Sequence, residues 1–178
     1  SRWTEPFLDR YWYEFDLQRA VEASEGKSID WNFNVRAGRQ FVDWGSGLAL
    51  SEAIYAVRPT LSFGRVAIEG IAGVTPTDES IIDFDASRKQ YDYDTERGFF
   101  SGPLSYTTLS DTKFYAFALY MPDYNNQDQA RPPLPIPVDF KYEATYLGFG
   151  AEGSFTSQLT YAAEFVYQIG TSHSDPLR

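Results

Sequence analysis

Between Leu159 and Gly170 the chain alternates almost without interruption. Leu159, Tyr161, Ala163, Phe165, Tyr167 and Ile169 fall on one side, and Thr160, Ala162, Glu164, Val166 and Gln168 on the other. Successive side chains of a strand point to opposite faces, so this period of two predicts a β-strand with one apolar, aromatic face and one largely polar face. The pattern recurs at Tyr11, Tyr13, Phe15 and Leu17 against Trp12, Glu14, Asp16 and Gln18. It recurs again at Ile29, Trp31, Phe33, Val35 and Ala37 against Asp30, Asn32, Asn34, Arg36 and Gly38. A chain built from such segments must cover its apolar faces, either with a protein core or with lipid.

Period two and the intervening turn residues predict eight strands in a single unit spanning 1–178, at 10–20, 28–38, 48–57, 61–74, 97–108, 113–121, 141–152 and 158–170. No segment carries a sustained helical apolar period. Short turns are expected at 23–27, 58–60, 110–112 and 153–157, and long loops at 39–47, 75–96 and 122–139. Short and long connections thus alternate, which in an up-and-down meander gathers the tight turns at one end and the long loops at the other. That asymmetry is the one found in outer-membrane barrels. Strand lengths also match the roughly 9–11 residues that cross a bilayer at a tilt. The expected fold is therefore all-β: an antiparallel up-and-down transmembrane β-barrel with about eight strands here, complete or part of a larger one. The alternative is a soluble eight-stranded barrel with its aromatic faces inward and a ligand inside.

Composition narrows the partners. With 15 basic and 25 acidic residues the net charge is −10, which disfavours nucleic acid. There is no cysteine, hence no disulfide framework or thiolate metal site. The 13 Tyr, 14 Phe and 4 Trp suit strands and membrane-interface belts. The longest clear apolar run, Phe114 to Met121, falls far short of the roughly 20 residues of a spanning helix. Ser1-Arg2-Trp3 resembles no signal peptide, so the expected location, a Gram-negative outer membrane, implies an export signal outside this sequence. Outer-membrane lipid or detergent is then the expected partner of the apolar faces.

Two stretches carry a family resemblance. Val35-Arg36-Ala37-Gly38-Arg39-Gln40, followed by Trp44-Gly45-Ser46-Gly47-Leu48, resembles the Gly-Arg-Gln strand end and glycine-rich loop of the alginate-export family of outer-membrane β-barrel porins. Thr145-Tyr146-Leu147-Gly148, through Ala163-Glu164 to Tyr167-Gln168-Ile169-Gly170, resembles a hairpin of the same family. The resemblance implies a channel for a saccharide polymer, a barrel larger than eight strands and a basic lumen.

If the apolar faces meet lipid, the inward residues are Glu14, Asp16, Gln18, Asp30, Asn32, Asn34, Arg36, Glu164 and Gln168, with Arg65 and Glu69 from the fourth strand. Such a lining selects solutes by field and hydrogen bonding. It mixes signs and leans acidic, unlike the basic lumen the family implies, so a porin for another hydrophilic small molecule or polysaccharide is the expected function. Arg36 and Arg65 are the expected inward cations, with Arg39 at the rim.

No covalent chemistry and no cofactor are expected. Glu14 and Asp16 share a strand face and would suit an acid–base pair, but nothing else nearby forms a substrate pocket. His173, with Ser172, Ser174 and Asp175, lies in what reads as a tail, unfit for a triad. The acidic stretch 80–96, with Asp83, Asp85, Asp92, Asp94 and Glu96, offers oxygen ligands for Ca²⁺ but lacks EF-hand spacing, so a solvated loop is the default. The segment 131–137, rich in proline, favours an extended polyproline conformation.

Overall fold

The computed structural model describes residues 10–76, 97–124 and 138–176. It is all-β, with one antiparallel sheet and one short helix. The elements are β1 (Tyr11–Asp16), α1 (Leu17–Glu25), β2 (Trp31–Trp44), β3 (Leu50–Phe63), β4 (Val66–Glu69), β5 (Ile71–Val74), β6 (Gly98–Ser101), β7 (Leu104–Thr107), β8 (Lys113–Met121), β9 (Val138–Ser154) and β10 (Thr160–Pro176).

Ten strands form eight rungs of a meander. β4 and β5 both pair with β3, and on their far side meet β7 and β6 respectively; both of those pair with β8. The order continues through β9 to β10, while β2 and β1 lie beyond β3. Among the described residues β1 and β10 each pair on one side only, so they are the edges.

The two broken rungs have a chemical cause. Pro59 lies inside β3 and has no N–H to give; its carbonyl instead accepts from Gly70, the residue between β4 and β5. Gly102-Pro103 interrupts the next rung in the same way, between β6 and β7.

The structure corrects the sequence reading at several connections. The expected first strand, 10–20, ends at Asp16, and a nine-residue helix follows. Asp16 caps it by accepting from Arg19 N–H at 3.0 Å, and Gly26 closes it in the left-handed region at φ 66. These are ordinary start and stop signals, overridden in the sequence reading by the short run of alternation through Leu17. The expected loop 39–47 is mostly strand, because β2 continues to Trp44. The expected turn Arg58-Pro59-Thr60 is also strand; the reversal comes at Gly64-Arg65, where Gly64 has φ 53. Residues 171–176, read as a tail, extend β10, with His173 opposite Lys141 in the register. The alternation of short and long links therefore fails at the first two connections. The expected turns at 110–112 and 153–157 fall where β8 and β10 begin their hairpins.

One face of the sheet is concave and packed. Val42 and Trp44, Leu50 and Ile54, Phe99, Phe117, Leu119 and Met121 form its buried cluster with Ala56, Ile71 and Ala144. A fully buried side chain of this size contributes about 1.5–3 kcal/mol. On β9 this face carries Gly148 and Gly150, and the neighbouring strand lays its rings over them. A Cβ on Gly148 would stand 2.2 Å from Phe117, and one on Gly150 would stand 2.5 Å from Tyr115. The glycines are the space these rings occupy.

The other face is exposed and apolar. Following the register, one row reads Phe33, Leu61, Ile68, Leu104, Ala116, Phe149 and Phe165 across seven rungs. The row below it holds Trp31, Phe63, Val66, Tyr106 and Phe114, and toward the opposite end stand Tyr11, Tyr13, Tyr55 and Tyr120. Tyr13 is 86% exposed and Phe165 56%.

Candidate functional site

The concave face carries three cross-strand pairs of charged residues, two of them set directly opposite each other by the register. Glu14 on β1 stands opposite Arg36 on β2. Arg36 donates to Glu14 from Nη2 at 2.8 Å and from Nε at 3.0 Å, while Asn34 donates to the other carboxylate oxygen at 2.8 Å. The guanidinium also lies 5.4 Å above the Trp12 ring.

Asp16 and Asn32 are brought together, but to hold the helix. Asn32 donates to Asp16 Oδ2 at 3.2 Å and accepts from Gln18 N–H at 3.0 Å. The Arg19 N–H at its other oxygen, together with Asn32, keeps the Asp16 carboxyl below its ordinary range.

Further along, Arg58 on β3 donates to Glu69 Oε1 on β4, from Nε at 2.9 Å and from Nη2. Its guanidinium sits 5.6 Å above the Trp44 ring. Across the concavity Lys113 on β8 donates to Glu152 on β9 at 2.9 Å, as the register pairs them. Glu164 on β10 accepts three hydrogen bonds: from Tyr115 Oη at 2.7 Å, and from Ser46 N–H at 2.9 Å and Oγ at 2.7 Å. Ser46 belongs to the β2–β3 turn, so the sheet curls until its two halves meet. A Cβ on Gly45 would overlap the Glu164 carboxylate at 1.7 Å, and Gly45 has φ 59; no other residue fits this turn.

The curl bounds a half-open cavity of about 230 Å³. Asp43, Trp44, Arg58 and Glu69 line it from one side, with Ser105, Lys113, Tyr115 and Glu152 from the other.

The expected lining is thus partly assembled. Glu14, Asn34, Arg36, Glu69 and Glu164 take part in the paired network of the concave face. Gln168 shares that face on β10, level with Tyr146. Asp30 is exposed in the bend before β2, and Arg65 is exposed in the β3–β4 turn; neither belongs to the wall. The second inward cation is Arg58, hidden from the sequence reading because Pro59 reads as a turn. Arg39, expected at the rim, is a buried β2 residue standing between Tyr11 and Tyr55 in the register. Tyr115 lies on the concave face. Its strand is apolar on both sides, so parity alone does not orient it; the glycines of β9 are the signal that does. Lys113, Glu152 and Ser46 were missed because nothing local marks a cross-strand partner. The acidic stretch 80–96 and the proline-rich 131–137 lie outside the described residues. No helix among the described residues is long and apolar enough to cross a membrane.

No protein-family model, curated protein or solved structure matches this chain.

Proposed function

We propose that this chain is the wall of an outer-membrane-type β-barrel, with its convex face in lipid and its concave face lining a path for a hydrophilic solute. The observation that carries the reading is the sorting of side chains by face. The large exposed apolar residues of β2 to β10 stand on the convex side, whereas three cross-strand ion pairs stand on the concave side. The convex face adds a contiguous set of exposed large apolar side chains, among them Phe63, Ile68, Leu104, Phe114, Phe149 and Phe165, of the kind that marks a membrane or protein interface. Tyrosine and tryptophan are placed toward the two ends of the convex face, as at Trp31 and Tyr106 on one side and Tyr11, Tyr55 and Tyr120 on the other, which agrees with the aromatic girdles of a strand wall crossing a bilayer.

The concave wall pairs Arg36 with Glu14, Arg58 with Glu69 and Lys113 with Glu152, while Glu164 adds a carboxylate held only by neutral donors. A wall that leans acidic in this way disfavours polyanions. This departs from the basic lumen implied by the alginate-export resemblance.

Reconstitution into planar bilayers tests the proposal. The expected result is insertion with conductance steps showing weak preference between cations and anions. A refolded protein that stays monodisperse without detergent and does not enter bilayers would overturn it. That outcome would favour the second reading, a soluble curled sheet binding a ligand in its cavity, for which the half-open space between Trp44 and Tyr115 speaks.

A further inference from the structure

The cavity within the curled sheet has a composition that selects a class of ligand. Its two cations are already joined to two of its carboxylates, Arg58 to Glu69 and Lys113 to Glu152. Both cations also cover aromatic faces: Arg58 lies over Trp44, and Lys113 Nζ is 5.8 Å from the centre of the Tyr115 ring. An anionic ligand would have to separate a cation from its glutamate and approach the third carboxylate of the lining, Asp43. That exchange leaves a partly desolvated charge without its partner, which costs more than a neutral hydrogen bond returns.

Paired ions still have hydrogen-bonding capacity. Both pairs engage Oε1 of the glutamate, so the second oxygen of each carboxylate, the remaining N–H groups and the Ser105 hydroxyl interleave acceptors with donors. A hydroxyl both donates and accepts, and a ring of hydroxyls satisfies such a wall without disturbing its charges. The volume of about 230 Å³ suits one such ring.

We propose that this cavity binds a single sugar ring that carries no negative charge. The proposal rests on reading the concave face as the solute-facing one; it does not require lipid outside.

The test is a titration of the detergent-solubilised protein, followed by calorimetry and tryptophan fluorescence. The probes are the neutral methyl glycosides of glucose, mannose and galactose, with glucuronate as the anionic counterpart. Saturable binding of at least one neutral glycoside is expected. Glucuronate should bind weaker by about tenfold or more, the consequence of breaking an ion pair. Ser105→Phe, which fills the cavity, should abolish binding. Should that variant fail to fold, the double variant Arg58→Met with Glu69→Met keeps the net charge, removes the wall's donors and acceptors, and should weaken binding of the neutral glycoside. No binding of any neutral glycoside, tighter binding of glucuronate, or unchanged binding in the folded variants would overturn the proposal. Vesicle flotation of the same samples separates it from the membrane reading. Protein that floats but binds no sugar defeats only this inference, and protein that binds sugar but does not float defeats only the other.

Discussion

Glu164 on β10 accepts a hydrogen bond of 2.7 Å from the hydroxyl of Ser46, a residue 118 positions earlier, in the turn between β2 and β3. This contact joins nearly opposite ends of the meander, and Tyr115 holds the same carboxylate from β8. Curl of the sheet, the bounding of the cavity and the need for glycine at position 45 all meet at this carboxylate.

Glu164→Gln should therefore lower stability by about 1.5–3 kcal/mol, the range for hydrogen bonds to a charged group. Gly45→Ala should match or exceed it, since a left-handed conformation alone costs an L-residue about 1–2 kcal/mol and the new methyl displaces the carboxylate. Urea unfolding in detergent, read by tryptophan fluorescence, measures both. A Gly45→Ala protein as stable as the parent would refute the seated carboxylate.

The placement of the second inward cation has its own test. Arg58→Met strands Glu69 and should cost about 1–3 kcal/mol, and adding Glu69→Met should restore much of it. Arg65→Ala, in the exposed turn, should stay within about 0.5 kcal/mol. If Arg65→Ala were the more damaging of the two, the register of β3 against β4 would be wrong.

The convex face can be probed with one charge. Phe165→Arg should cost about 2–4 kcal/mol in a bilayer, whereas Ala162→Arg, exposed on the concave side beside Glu152, should cost little. In water the ordering disappears, because Phe165 is already exposed and arginine there is harmless. Equilibrium unfolding from vesicles decides between the two: equal, small effects would remove the lipid face.

Asp16 links the helix to pH. Its carboxyl is held below the ordinary range, so it stabilises the fold above the unfolded value of about 3.9, and this contribution is lost as pH falls through the folded value. Asp16→Ala should cost about 1 kcal/mol at neutral pH. The gap between parent and variant in thermal midpoint should close below about pH 4. A gap that persists in acid would mean that Asp16 does not act through its charge.

The eight rungs were legible in the sequence because a strand's two faces are written residue by residue, as in Leu159 to Gly170. Legibility failed where a local signal had two readings. Pro59 marks a turn in most chains, but here it sits opposite a break in the neighbouring strand. Leu17 continued an alternation that Asp16 and Gly26 cut short for a helix. Tyr115 lay in a strand apolar on both sides, where parity says nothing about direction.

What the sequence determined alone was the period, the sidedness of most strands and the all-β class, since these follow from backbone geometry within a few residues. Only the tertiary structure decided that Arg58 meets Glu69, that Lys113 meets Glu152 and that Ser46 closes on Glu164. Those contacts depend on register and on the curl of the whole sheet. Both arise from pairing between segments far apart in the chain, where no neighbour in sequence records the partner.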